Sequence, residues 1–459
     1  MSKIKNLKPV YYFFILSVLC ITGLKTIARN IQAPKYFSDT TKSKEHLRTR
    51  PDVVVYIPKD KQDGDNEHFL VFEAPKSKEL LAIWTQSSVE GHGDNRTMIA
   101  RSKDGVHWDP PKMITGAMAG STNAQASWAF PVVSKKGRIY CFYTLDTVVS
   151  KITQHHLACY YSDDNGHSWV KGKQFINVPK FKYDDPSKIH TPNWIVWQKP
   201  TRDGNGKYIT GYTRWSGDSI VKKGKHWVDT DSRAGFIRFE NIDDNPEPEN
   251  VKLTWLPGNN KEGLEVKHKN YPLSVAQEPA IVLLPDNRLF AVMRTMTGFI
   301  WYSVSEDHGN TWRKPEVLRY KDGGDPVKHP LSSSPIYALS NKKYLLVFAN
   351  NEGKFGNYDL FKDNWKGINQ ANFVRQPAFI SVGEFRPGKH QPLWFSDPKE
   401  LLTTNNVPVG PKGTAEVATY PSLTEWNGVR TLWYPDRKYF LLGKYLPDEL
   451  LKQMKVPKQ

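Results

Sequence analysis

The chain has 459 residues, 39% of them hydrophobic, which is enough to bury a large core and excludes wholesale disorder. Lys and Arg number 64 against 47 Asp and Glu, giving a formal charge of +17 that favours an anionic partner. No Lys/Arg-rich helix, zinc-ligand spacing or RNA-binding signature accompanies that charge, so nucleic acid is set aside and an acidic glycan is expected.

Residues 1–28 read as an export signal. Lys3, Lys5 and Lys8 precede the apolar run 10–24, and Thr26-Ile27-Ala28 can precede cleavage. A run of ~15 residues falls short of the ~20 that span a bilayer. A secreted, periplasmic or cell-surface location is therefore expected, with an uncleaved N-terminal segment as the only membrane attachment. Beyond the signal only Cys141 and Cys159 remain, too few for a disulfide framework. Residues 29–66, polar and rich in Pro and Lys, are read as a linker with first strands, and 67–459 as one domain. From His68 onward, strand-like runs recur at 69–73, 80–86, 138–145, 195–199, 208–215, 236–241, 280–284, 288–295, 343–350, 378–385, 429–434 and 439–444. Turn signals such as Lys136-Gly137, Asp203-Gly204, Pro285-Asp286-Asn287 and Asn427-Gly428 separate them. Helical periodicity is confined to 447–454. Short strands with regular turns predict an all-β sandwich, barrel or propeller.

Three segments select among these. They are Ser102-Lys103-Asp104-Gly105-Val106-His107-Trp108, Ser162-Asp163-Asp164-Asn165-Gly166-His167-Ser168-Trp169 and Ser305-Glu306-Asp307-His308-Gly309-Asn310-Thr311-Trp312. Each follows a strand-like run. The Asp can cap turn amides, the Gly permits a positive φ, and the Trp packs beneath the turn. The pattern resembles the Asp-box of the sialidase-like β-propeller superfamily, a structural signature without catalytic groups of its own. Asp104 and Asp164 are 60 residues apart, a plausible blade. About 400 residues at ~60 per blade gives roughly six blades, seven being the alternative.

The same resemblance implies site residues near the propeller axis. Asp94, in the loop before the first box, matches the acid/base Asp of sialidases. Glu278, in Gln277-Glu278-Pro279, matches the Glu that polarises a Tyr nucleophile, and Tyr420, in Tyr420-Pro421-Ser422-Leu423, matches that Tyr. Arg294 matches one of three arginines that clamp a substrate carboxylate. The other two clamp positions depart from the family: the stretch from His68 to Pro75 has no Arg, nor has Leu331-Ser332-Ser333-Ser334.

A second constellation suits β-elimination beside a uronate. Tyr212 and Arg214 are two apart and share a strand face, His190 precedes the strand-like run 195–199, and His155 and His156 precede the second box. Arg can neutralise the uronate carboxylate while Tyr or His moves protons. The set is similar in residue type to that of propeller lyases acting on ulvan-type polymers. The expected function is thus a polysaccharide lyase on an anionic, uronate-containing polysaccharide. The alternatives are a retaining sialidase-like hydrolase and a non-catalytic glycan-binding propeller. No cofactor is required by either chemistry. Propellers can hold Ca²⁺ at turns, but no EF-hand-like or His/Cys ligand spacing is present.

Overall fold

Strand runs and turn residues build six antiparallel sheets. The computed structural model describes residues 44–458 apart from 119, 122, 150, 188–189, 197, 227, 259–261 and 354–373, so the expected export signal lies outside the described residues. Strand β1 (Val53–Tyr56) comes first in the chain but joins the last sheet. Blade 1 is β2 (Asp65–Glu73), β3 (Leu80–Ser87), β4 (Arg96–Ser102) and β5 (Lys112–Gly116). Blade 2 is β6 (Gln125–Val133), β7 (Ile139–Val149), β8 (Ile152–Ser162) and β9 (Val170–Lys171). Blade 3 is β10 (Asn193–Ile195), β11 (Thr201–Arg202), β12 (Tyr208–Trp215), β13 (Ser232–Phe239) and β14 (Leu253–Leu256). Blade 4 is β15 (Gln277–Leu283), β16 (Leu289–Arg294), β17 (Trp301–Ser305) and β18 (Glu316–Val317). Blade 5 is β19 (Ile336–Ala338), β20 (Tyr344–Phe348), β21 (Ala378–Phe385), β22 (Leu393–Phe395) and β23 (Lys399–Leu402). Blade 6 is β24 (Ser422–Trp426), β25 (Val429–Asp436) and β26 (Phe440–Tyr445), completed by β1. This is the six-bladed propeller the boxes predict. A short helix, Asp448–Gln453, follows where the periodicity placed it.

One segment adds to the expectation and one differs from it. Within 29–66, read as a linker with first strands, residues 53–56 form a strand that lies outside the first blade. They pair with β26, Val53 opposite Gly443, and close the ring by joining both ends of the chain. The expected strand at 195–199 is broken: β10 ends at Ile195 and pairing with β12 resumes at Thr201. Pro200 has no amide to donate to the ladder. Lys199 instead turns inward, its Nζ donating to the carbonyls of Val71 in blade 1 (2.6 Å) and Leu423 in blade 6 (3.1 Å). It crosses an axial cavity of about 220 Å³ lined by Leu70, Ile281, Ile336, Tyr337 and Leu423.

The core lies in the seams between blades. Leu81 and Ile99 of blade 1 pack with Ile139 and Cys141 of blade 2, and corresponding buried clusters fill each following seam around to Leu432 and Phe440 of blade 6. The Asp-boxes belong to this system. In each, the Ser hydroxyl accepts from the Gly amide at 2.8 Å, while the Asp carboxylate accepts from amides two to four residues on. The glycines have φ of 75°, 79° and 89°, a conformation that disfavours a side chain. The box tryptophans lean on the preceding blade. Trp108 meets Trp433 edge-on at 5.4 Å, Trp312 stacks on Phe236 at 4.1 Å, and Trp169 packs against the Leu81 and Ile99 cluster.

At the other end of the blades, the first strands begin irregularly. Bulges fall between Glu67 and Leu70, Ser127 and Phe130, and Gln277 and Ala280. Inside them His68, Trp128 and Glu278 take φ of 53°, 56° and 47°; Tyr420, just before β24, takes 60°. Such left-handed backbone is costly for non-glycine residues and persists where surroundings over-determine it. Here the amide of each of three is captured by a hydroxyl: Trp128 by Thr85 (2.8 Å), Glu278 by Thr213 (2.7 Å) and Tyr420 by Ser333 (3.1 Å). Each hydroxyl comes from the preceding blade or the segment leading into it. Bulges of this kind re-aim side chains, and they bring residues from different blades together.

Candidate active site

Glu278 enters from the start of β15, Arg294 from the end of β16, and Tyr420 from the turn before β24. The Tyr420 hydroxyl donates to Glu278 Oε1 at 2.9 Å and accepts from Arg294 Nη1 at 3.0 Å. The same Nη1 donates to Glu278 Oε1 and Oε2 at 2.9 and 3.0 Å. All three side chains are buried. Burial, and next the Glu278 charge, hold the Tyr420 phenol above its ordinary range, with Arg294 opposing them. Burial would lower the Arg294 pKa, but Glu278 and Tyr420 outweigh it and keep the guanidinium firmly charged. The phenol proton thus points at a base, and a cation stands ready for the phenolate that proton transfer would create.

Residues that sequence reading did not select surround this trio. His68 stacks on the Tyr420 ring, centroids 4.1 Å apart and planes 16° from parallel. Trp128, half-buried, meets His68 edge-on at 6.1 Å. His68 is 1% exposed, and neither ring nitrogen has a hydrogen-bond partner among the described residues. Burial, and next the charge of Lys438, push its pKa down to about 3, so the imidazole is neutral. Lys438 also lies over the Tyr420 ring, 5.7 Å from its centroid, and pairs with Glu67 (2.7 Å) and Glu90 (2.9 Å). Arg375 pairs with Glu416 at 2.8 Å beside Ser332 and Ser333. No local motif marks His68 or Trp128; the one shared signal is their position at the start of a first strand.

Asp94 stands in blade 1, and the candidates for elimination stand in blades 2 and 3 and the segment between them. Asp94 is buried in the loop between β3 and β4. Its Oδ2 accepts from the Ser88 amide at 3.0 Å, and its Oδ1 has no partner among the described residues. Tyr212 and Arg214 do share a face of β12, but within blade 3. Tyr212 is packed edge-on against Trp255 at 5.3 Å, and a Cβ at Gly235 would lie 2.6 Å from its hydroxyl. Burial pushes its phenol up to about 12. Arg214 is buried, pairs with Asp184 through Nε (2.8 Å) and Nη2, and lies over Phe181. His190 is partly exposed and faces Asp185 at 3.3 Å. His155 pairs with Asp146 at 2.6 Å, and His156 stacks on Phe175. Among the described residues no group of three or more His, Cys, Asp or Glu is placed to hold a metal ion.

Comparison with known proteins bears on the family and the fold. A family model described as a BNR repeat-like domain matches residues 78–430. No curated protein matches the chain. Among solved structures, a protein of unknown function from Dyadobacter fermentans is similar with a TM-score of 0.56 and 12% identity, over 86% of this chain and 97% of that one. The intramolecular trans-sialidase of Ruminococcus gnavus is similar at 0.55 and 13%, over 87% and 98%. The NanB sialidase of Streptococcus pneumoniae is similar at 0.57 and 10%, over 89% and 73%. At such identities the likeness to these structures is one of fold. The chain belongs to the BNR repeat-like family and has the six-bladed sialidase-like propeller fold.

Proposed function

We propose that this protein is a retaining glycoside hydrolase in which Tyr420 is the nucleophile, Glu278 the base that takes its proton, and Asp94 the acid/base. The observation that carries the reading is the closed triangle of hydrogen bonds joining Tyr420, Glu278 and Arg294. The Tyr420 oxygen attacks the anomeric carbon as its proton passes to Glu278, and the bond to the leaving oxygen breaks as Asp94 protonates it. Water, deprotonated by Asp94, then displaces Tyr420, which recovers its proton from Glu278. Arg294 supports the phenolate at both stages rather than serving a carboxylate clamp. The excess positive charge supports a glycan bearing acidic groups, met by exposed lysines such as Lys76, Lys103, Lys135, Lys151 and Lys171.

Elimination beside a uronate, the first expectation from sequence, has less geometric support. It needs an arginine available to a carboxylate, and Arg214 already holds Asp184. The test is a panel of 4-methylumbelliferyl glycosides, with activated 2-fluoro glycosyl fluorides as traps. The expected results are turnover abolished in Tyr420→Phe and a sugar adduct on the Tyr420 peptide by mass spectrometry. Undiminished turnover in Tyr420→Phe, or products with the ultraviolet absorbance of an unsaturated uronate, would overturn the reading.

A further inference from the structure

We propose that the axial cavity crossed by Lys199 binds a short-chain monocarboxylate: the ammonium meets the carboxylate and the apolar walls take the tail. The site is separate from Tyr420, Glu278 and Arg294, and the inference does not rest on the hydrolase reading.

The first observation is the charge. Lys199 enters from the break between β10 and β11, and its Nζ donates to the carbonyls of Val71 and Leu423. Those residues lie on β2 and β24, the first strands of their blades, whose inner edges pair with no further strand. An ammonium has three donors, so one N–H is unspent. No carboxylate among the described residues pairs with Lys199, and burial pushes its pKa down to about 8. Lys438, by contrast, meets Glu67 and Glu90. Glu425 is the one acid among the described residues that line the cavity. It is exposed, and its carboxylate accepts from Arg430 Nε and the Ser340 amide, both at 2.7 Å. A carboxylate brought to Lys199 gains a charge-assisted hydrogen bond and relieves a cation held only by neutral carbonyls.

The second observation is the space. The cavity measures about 220 Å³, the share of liquid held by roughly seven waters at ~30 Å³ each. That admits a carboxylate with a tail of a few carbons. Leu70, Ile281, Ile336 and Leu423 give it aliphatic walls. Leu70, Ile281 and Leu423 follow His68, Glu278 and Tyr420 by two or three positions, so the cavity lies farther along the axis than the candidate active site. Ala338 and Glu425, both exposed, mark its mouth. Three polar groups of the lining are already engaged. Ser422 Oγ accepts from the Val71 amide, the Tyr337 hydroxyl donates to the Pro421 carbonyl, and Gln198 Nε2 donates to the Pro279 carbonyl. One cation among aliphatic walls suits a fatty acid of short chain better than a polyhydroxylated sugar.

The experiment is isothermal titration of the full chain at pH 7 with the sodium salts of acetate, propionate and butyrate, with butanamide, butylamine and sodium chloride as comparisons. Butyrate should bind at least about tenfold more tightly than butanamide, butylamine or chloride. Affinity should rise roughly threefold per carbon from acetate to butyrate as each methylene is buried. Lys199→Met keeps the chain length and should lose the preference for the acid over the amide. Because Lys199 also braces blades 1 and 6, a second measurement uses the unaltered protein. Butyrate should slow acetylation of Lys199 by an N-hydroxysuccinimide ester about tenfold, read by peptide mass spectrometry, and leave exposed Lys76 unaffected. Butanamide or chloride binding as tightly as butyrate, no binding of butyrate, an unchanged preference in folded Lys199→Met, or equal acetylation with and without butyrate would overturn the proposal. Binding should persist in Tyr420→Phe, so the result stands or falls apart from the nucleophile assignment; loss of binding in that variant would refute a separate site.

Discussion

The Tyr420 hydroxyl donates to Glu278 Oε1 at 2.9 Å although the two residues are 142 positions apart in the chain. One comes from blade 4 and the other from the turn into blade 6, and Arg294 bridges them. The contact couples the chemistry to the ring: it forms only when the propeller has closed around its axis.

Replacing Glu278 by Gln keeps the volume but removes the base and leaves Arg294 buried opposite a neutral amide. Turnover should fall by roughly 10²–10⁴-fold, and stability by about 3 kcal/mol, since a buried charge loses its partner. Tyr420→Phe should separate the two effects. It loses the nucleophile, but stability should fall by only about 1 kcal/mol for its hydrogen bonds. Paired denaturant melts and rate measurements on the two variants check this; equal stability losses would count against the buried-pair argument.

The box tryptophans are expected to act on the ring without touching the site. Trp312→Ala removes a stack on Phe236 of the neighbouring blade and should cost about 3 kcal/mol, with kcat per folded molecule unchanged. Asp307→Asn should cost less, about 1 kcal/mol, because it weakens turn bonds from Thr311 and Ser305 without emptying a seam. Chemical denaturation of both variants gives the ranking, and the reverse order would refute it.

Acid should weaken the fold partly through Glu416. Burial would raise its pKa, but Arg375, with smaller help from Lys438, holds it down to about 2 in the native state against an ordinary 4.5. A depressed acid stabilises fully above its unfolded pKa, and that contribution is lost as pH falls through the native value. Stability should therefore decline between about pH 4.5 and about pH 2, by on the order of 3 kcal/mol from this group. Glu416→Gln should be less stable at neutral pH and show a shallower decline over that window. An unchanged slope in urea melts taken across the window would exclude Glu416 as the source.

Deleting residues 1–58 removes β1 and exposes the edge of β26. Val53 and Tyr56 pack with Trp433 and Leu441, so their loss opens the seam between blades 6 and 1. Arg437 also loses Glu45, which it meets at 3.1 Å. The truncated chain should melt at a markedly lower temperature and self-associate through the bare strand edge. Calorimetry and size-exclusion chromatography are the measurements; a monomer with the melting temperature of the parent would mean that the closure is dispensable.

Asp-boxes could be read from sequence because the side-chain turn bonds of their leading Ser and capping Asp are local, spanning at most four residues. Glu278, Arg294 and Tyr420 were legible as family-like motifs beside strands. The shared face of Tyr212 and Arg214 was also legible, from strand periodicity alone. Illegible was the engagement of Arg214 by Asp184, thirty positions upstream, because a long loop returns the carboxylate to the strand. His68 and Trp128 gave no signal, since their orientation depends on bulges whose amides are capped, at Trp128, by Thr85 of the adjoining blade.

Sequence by itself determined the propeller and the turns that define it, because strand alternation and the box turn bonds are short-range, while the choice of six blades over seven came from the structure. The tertiary structure alone decided which charges are already spoken for. A buried ion's availability depends on partners brought in from other blades, and the cost of desolvating it is settled only when those blades close around one axis.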